Sequence, residues 1–131
     1  MKYLSELLDV EGVYTRAEIS TLLKSKDLTI NTGVFKPTGW HSIILFVTSK
    51  KQKDLTQYTD FFQDDILIWQ GQMSGKSDTL IMRHQEQLLE LLVMYRDSKF
   101  EYPQFGFKFM GCYKYLSHRE GKPSTFTLAP L

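Results

Sequence analysis

The stretch DDILIWQGQMSGKSD (Asp64–Asp78) contains an apolar run, Ile66 to Trp69, with two acids before it and a Gly/Ser-rich segment after it. A short run of branched and aromatic residues enclosed by turn residues predicts a β-strand. Because side chains alternate across a strand, Gln70 and Gln72 continue the face of the two isoleucines, which we expect to be the core face. A core face that ends in carboxamides either meets solvent, which is commoner, or lines a polar pocket.

The segments around this strand predict helices first and strands afterwards. The leucines of Met1–Val10 indicate a short amphipathic helix, and Thr15 with Glu18 has the spacing of a capping box that starts a second one. Further strands are predicted before a turn at Pro37–Gly39, then over His41–Thr48, Leu80–Arg83, Leu89–Arg96, Phe107–His118 and Ser124–Leu128, with a turn over Gln85–Gln87. The pattern predicts a single α+β domain, helical over 1–26 and sheet-rich over 31–128, with a curled, barrel-like, mainly antiparallel sheet.

Composition limits the class of protein. The 131 residues fit one domain, and 42% hydrophobic with 24% charged residues is ordinary for a globular protein. A net charge of +1 argues against an unselective nucleic-acid coat but leaves room for a local basic face. The single cysteine, Cys112, excludes an internal disulfide, and no signal peptide or membrane span is evident. We therefore expect a cytoplasmic protein that needs no cofactor and no membrane.

Two patterns that resemble enzyme motifs fail on spacing. Gly71–Ser77 carries the Gly-Lys-Ser of a phosphate loop, but it has three residues between its glycines where that loop needs four. The three histidines, His41, His84 and His118, lie in separate segments with no HExxH motif, which favours surface or hydrogen-bonded histidines over metal ligands.

The acids near the first quoted strand offer a weak alternative. Asp60, Asp64 and Asp65, together with Glu86 or Glu90, imitate a magnesium nuclease site, but no lysine stands two residues beyond a strand carboxylate. Solvated acids are the commoner interpretation. Catalysis by this chain is therefore not predicted, and no metal is assigned.

Longer strings of the sequence carry a resemblance. They are a strand ending in LFVT, a Tyr-x-Asp before a strand with WQGQ, a strand ending in YR, and a final Gly-x-Tyr-x-Tyr-x-Ser-His with Gly-x-Pro after it. Together, over about Tyr14–Leu128, they resemble a family of uncharacterised domains found beside HNH endonuclease and restriction-type helicase domains in bacterial defence proteins. The resemblance implies a specificity module without catalytic residues. By analogy between folds, it implies an SRA- or PUA-like reader of modified bases.

A pocket for an extruded base needs a ring to stack on it and polar groups for its Watson–Crick edge. An aspartate accepts the exocyclic amine of cytosine, and glutamine both donates and accepts. The residues expected in this pocket are Trp40, as its opposite wall, Tyr58, Asp60, Trp69, Gln70 and Gln72. The residues expected to hold DNA phosphates are Lys36, His41, Lys50, Lys51, Lys53, Ser117, His118, Arg119 and Lys122.

The resulting hypothesis is a non-catalytic DNA-recognition domain of a modification-dependent restriction endonuclease. It would bind double-stranded DNA, sense a modified cytosine such as 5-methylcytosine by base flipping, and leave cleavage to a nuclease domain or subunit, as one module of a longer protein. The alternatives are a protein–protein adaptor of a defence complex, a sequence-specific binder of unmodified DNA, and a nuclease that uses the acidic cluster.

Overall fold

An eight-stranded sheet dominates the computed structural model, which describes residues 2–49 and 60–131. Its strands are β1 (Val13–Tyr14), β2 (Val34–Phe35), β3 (Ser42–Thr48), β4 (Phe61–Gln63), β5 (Ile66–Gln70), β6 (Glu90–Arg96), β7 (Phe107–Arg119) and β8 (Thr125–Pro130). The helices are α1 (Arg16–Leu23) and α2 (Asp78–Met82), with 3₁₀ turns at Leu4–Leu7, Leu28–Asn31 and Pro103–Phe105. The expected α+β class and the strands over β3, β6, β7 and β8 are confirmed.

The strands follow the spatial order β2-β3-β6-β7-β8-β5-β4, and β1 pairs with β7 off this path. β3 and β6 are parallel, with Ser42 opposite Glu90 and Thr48 opposite Arg96, while every other ladder of the described residues is antiparallel. The sheet is therefore mainly antiparallel, as predicted. It is not closed into a barrel, because within the described ranges no ladder joins β2 to β4.

The sheet nevertheless curls around a buried cluster on one of its faces, which we call the inner core. Side chains from β2 and β3 at one end of the path and from β5 at the other belong to the same buried cluster. Phe62 of β4 also reaches Tyr95 of β6, with ring centroids 4.8 Å apart. Strands so far apart in the order meet only if the sheet bends strongly. We call the gap where the β2–β3 edge faces the β4–β5 edge the seam.

The N-terminal segment and α1 cover the other face of β3, β6 and β7. This second core contains Leu4, Leu8, Ile19, Leu23, Ile30, Phe35, Ile44, Phe46, Leu92, Met94, Phe107 and Phe109. The predicted capping box starts α1, because the Thr15 side chain accepts from the Glu18 backbone N–H and the Glu18 side chain accepts from that of Thr15. Lys24, in the left-handed region at φ 53°, ends the helix.

Two sequence predictions of local structure are wrong. Of the helix predicted over Met1–Val10, the described residues 2–10 form one 3₁₀ turn, Leu4–Leu7, although Leu4 and Leu8 are buried in the second core, because so short a segment does not sustain an α-helix by its own propensity. The predicted strand Leu80–Arg83 is instead α2 and the turn after it, with Ile81 fully buried in the inner core. A four-residue apolar run fits either type of element, and here tertiary packing of Ile81 decided it.

No helix in residues 2–49 and 60–131 is both long and apolar enough to cross a membrane.

Candidate functional site at the seam of the sheet

A cavity of about 230 Å³ lies at the seam. One side comes from the β2–β3 edge and the other from the β4–β5 edge. Its lining residues are Gly33, Val34, Phe46, Thr48, Asp60, Trp69, Gln70, Gly71 and Gln72. The structure therefore brings together four of the six residues predicted for a base pocket, namely Asp60, Trp69, Gln70 and Gln72.

Asp60 is the buried acid of this cavity. Only 6% of it is exposed, and its Oδ1 accepts the backbone N–H of Gln70 at 2.9 Å. Asp64 and Asp65, in contrast, are exposed in the turn between β4 and β5. The interpretation of all three acids as solvated is thus wrong for Asp60, because a hydrogen bond across the β4–β5 hairpin draws it inside.

Trp69 belongs to the core as much as to the cavity. It is 4% exposed, and its ring packs at 5.6 Å from that of Phe126. Leu67 and Trp69 form the inner face of β5, whereas Ile68 and Gln70 lie half-buried on the outer face. The expectation that the isoleucine face is the core face is therefore wrong. Trp69 is therefore mainly a core residue that also lines the cavity.

Specific contacts hold Gly71 and Gln72, the two residues that follow β5. The backbone N–H of Gly71 donates to Ser124 at 2.9 Å, and Ser77 donates its hydroxyl to Gln72 Oε1 at 2.7 Å. A Cβ at Gly71 would lie 3.1 Å from both Asp78 Oδ1 and the Phe126 ring, so a side chain here would crowd both neighbours. Gln70 and Gln72 thus lie at the cavity, while Gly71 between them packs closely against Asp78 and Phe126.

Trp40 does not form the opposite wall of this cavity. It lines a separate cavity of about 360 Å³, together with Lys36, His41 and Gln87. This second cavity is lined by residues that come just before β3 in the chain. The seam cavity is instead lined by Phe46 and Thr48, near the C-terminal end of β3. The length of β3 separates the two, and the prediction for Trp40 is corrected accordingly.

The residues predicted to hold phosphates fall into two groups. Lys36 and His41 lie at the second cavity, while Ser117, His118 and Arg119 end β7 and Lys122 lies in the following turn. Arg119 and Gln70 both pair with Thr125, from opposite sides of β8, so the second group lies in line with the seam glutamines.

Within that group, Ser117, Arg119 and Lys122 are exposed. His118 instead stacks on Phe126 and contacts the Tyr115 hydroxyl at 2.7 Å. Tyr58, Lys50, Lys51 and Lys53 lie outside the described residues.

Two arginines that the sequence analysis did not single out lie beside the seam. The Cζ of Arg96 is 3.9 Å and that of Arg16 is 4.9 Å from the centre of the Phe107 ring. Burial lowers the pKa of both, and the charge of Arg96 lowers the pKa of Arg16 further. Tyr95 and Arg96 at the end of β6 are part of the sequence resemblance. No local pattern indicated that a second arginine, Arg16, would lie over the same ring as Arg96.

Glu90 and Cys112 form a different cluster, on the outer face. The Glu90 carboxylate accepts hydrogen bonds from the Ser5 backbone and hydroxyl and, at 2.6 Å, from the Ser42 hydroxyl. Burial and the charge of Glu90 raise the pKa of Cys112 to about 11, so the thiol is protonated at neutral pH. This cluster fastens the N-terminal segment to the sheet. Within the described ranges, no group of three His, Cys, Asp or Glu residues is placed to hold a metal ion.

No protein-family model matches this chain, and no curated protein sequence matches it significantly. The fold and the cavity define its class as an α+β domain with an open, curled, mainly antiparallel sheet and a polar cavity at the seam. The resemblance to domains of bacterial defence proteins stays a prediction.

Proposed function

We propose that this chain is a non-catalytic DNA-recognition domain of a modification-dependent restriction system. It takes a modified cytosine, flipped from double-stranded DNA, into the seam cavity, and a nuclease domain or subunit performs cleavage. The observation that carries this proposal is the convergence of Asp60, Gln70 and Gln72 on one cavity that also touches Trp69.

The chemistry of the cavity suits a base. Its volume of about 230 Å³ is below the roughly 300–1,000 Å³ of pockets for drug-sized ligands, which favours a single ring system. Asp60 accepts the backbone N–H of Gln70, and a carboxylate is the type of acceptor that the exocyclic amine of cytosine requires. Carboxamides at Gln70 and Gln72 offer both donors and acceptors to the remaining base edge.

The charge distribution suits a duplex. Exposed Arg119 and Lys122 lie at the sheet end that also carries Gln70. Cations there would hold phosphates and position the duplex without reading its sequence. Binding that depends on a few phosphate contacts weakens steeply with salt.

Fluorescence polarisation would test the proposal with matched duplexes carrying cytosine, 5-methylcytosine, 5-hydroxymethylcytosine, 4-methylcytosine or 6-methyladenine, each at two salt concentrations. We expect one modified cytosine to bind most tightly, and more tightly at low salt. Gln70→Ala should weaken that binding about tenfold, the equivalent of one lost hydrogen bond.

Gln87→Ala is the matched control, because Gln87 is exposed and lines the other cavity. It should leave the affinity unchanged. Equal affinity for all five duplexes would contradict recognition of a modified base and would indicate that the chain recognises unmodified sequence or the DNA backbone. No binding at either salt concentration would end the proposal.

One observation favours the adaptor alternative. Phe100 and Phe105 are 77% and 50% exposed, and their rings lie 5.9 Å apart with Lys99 over both. Exposed aromatic pairs are typical of protein interfaces. An adaptor would bind its partner at high salt without DNA, and Phe100→Ser would abolish that binding while leaving DNA affinity unaffected.

A further inference from the structure

Arg16 and Arg96 place two guanidinium groups over one aromatic ring. Arg96 is 7% exposed and lies over Phe107, and half-buried Arg16 lies over both Phe107 and Phe46, 4.6 Å from the latter. Stacking on a ring stabilises each guanidinium, but it does nothing to relieve the repulsion between the two charges.

No carboxylate neutralises this pair among the described residues. The acid–base contacts found there are Arg83–Glu86 and His118–Glu120, and neither includes Arg16 or Arg96. Burial and mutual repulsion both lower the pKa of Arg16, as expected for two cations brought together without an acid. Two partly buried cations that lack a counter-charge in the described part of the chain form a site that an anion would stabilise.

The hydrogen bonds leave donors for such an anion. Arg16 donates Nε–H to the Ile30 carbonyl at 3.0 Å, and Arg96 donates Nε–H to Thr48 Oγ1 and Nη1–H to the Phe105 carbonyl, both at 2.8 Å. Within the described residues, both terminal nitrogens of Arg16 and the Nη2 of Arg96 donate to no protein acceptor. These fixed Nε contacts set the orientation of both planar groups, and that orientation is what recognition of a phosphate by arginine requires.

The pair adjoins the seam cavity through two shared residues. Phe46 and Thr48 line the cavity, and the same residues contact Arg16 and Arg96 respectively. We propose that Arg16 and Arg96 form an anion site that binds a phosphate group beside the seam cavity. Its assignment to a backbone phosphate of the DNA, next to the base in the cavity, rests on the proposed function.

Pyrophosphate binding to the full chain tests the site without DNA. In isothermal titration calorimetry at fixed ionic strength, the wild-type chain should bind pyrophosphate saturably. Arg16→Gln should weaken that binding at least about tenfold, because it removes the charged donors. Arg96→Lys should also weaken it, since it keeps the charge but loses the planar fork. Arg83→Gln is the matched control, because Arg83 is 58% exposed and paired with Glu86.

Absence of saturable binding, or equal binding by wild type and Arg16→Gln, would overturn the anion site. A melting curve for each variant separates loss of binding from loss of folding. If Arg16→Gln does not fold, Arg16→Lys replaces it, with an expected affinity between those of wild type and of Arg96→Lys.

DNA titrations with the same variants identify the source of the phosphate. A DNA affinity that falls about tenfold in Arg16→Gln supports a backbone phosphate. Unchanged DNA affinity in a variant that has lost pyrophosphate would overturn that assignment and leave a free phosphate compound as the ligand. Pyrophosphate binding without any DNA binding would sink the proposed function but not the anion site.

Discussion

Glu90 and the Arg16–Arg96 pair both bring charge onto the outer face of the sheet, but their surroundings differ. Glu90 accepts hydrogen bonds from Ser5 and Ser42, so its charge is matched by donors within the protein. The arginines share one ring, have no acidic partner within residues 2–49 and 60–131, and keep donors that no described residue uses. A charge satisfied internally indicates a structural role, whereas one left with open donors indicates a ligand.

The largest effect should follow the loss of the Glu90 carboxylate. Glu90→Ala removes the acceptor for Ser5 and Ser42 and detaches the N-terminal segment, so we expect the free energy of unfolding to fall by about 3 kcal/mol. Urea denaturation measures this. Glu86→Ala is the control, because Glu86 is 65% exposed. Equal losses for both variants would remove the structural role of Glu90.

A second effect concerns buried His84, whose two ring nitrogens both have hydrogen-bond partners. Its Nε2 accepts the Tyr115 backbone N–H at 3.2 Å, so its Nδ1 donates to the Leu89 carbonyl at 2.8 Å. His84→Ala leaves the part-buried Tyr115 N–H and the buried Leu89 carbonyl without these partners and should lower the free energy of unfolding by about 2 kcal/mol. Thermal melting of His84→Ala beside His41→Ala would show this, and a His41→Ala loss of the same size would contradict it.

Arg16→Gln should change stability less than either of these. It loses ring stacking but also relieves repulsion with Arg96, so we expect a change within about 1 kcal/mol. Urea denaturation at low and high salt checks the sign, since salt weakens the repulsion and should stabilise the wild type more than the variant. A loss of unfolding free energy as large as that of Glu90→Ala would show that Arg16 has a structural role.

The smallest effect is a pH dependence at Cys112. Its pKa is raised to about 11, so folding favours the protonated thiol, and this contribution to stability is present below the unfolded pKa and lost as pH rises through about 11. Alkylation of the folded chain should therefore accelerate only toward pH 11. Glu90→Gln removes a negative neighbour and should shift the alkylation profile to lower pH. An unshifted profile in that variant would leave burial as the sole cause.

Strong local signals made much of the fold predictable. The Thr15–Glu18 spacing located the start of α1, and alternating or continuous apolar runs located β3, β6, β7 and β8 close to their observed ends. Weak signals failed where two elements fit the same residues, as for α2. The inner face of β5 was also misassigned, because alternation shows which residues share a face but not which face packs inward.

The candidate site was predictable only in part, for the same reason. The proximity of Gln70 and Gln72 follows from chain connectivity, and the structure places Asp60 and Trp69 at the same cavity. Trp40 was placed wrongly, and Arg16 and Arg96 were missed, because each depends on which distant segments the curled sheet brings together. No local pattern contains that information.

The sequence by itself determined the α+β class, the ends of most strands and the helix cap, because these depend on side chains within a few residues of one another. Tertiary structure alone decided the curl of the sheet, the seam cavity and the meeting of Arg16 with Arg96. These depend on the register of β3 with β6 and on the packing of β5 against β8, where the free energy is shared among residues far apart in the chain.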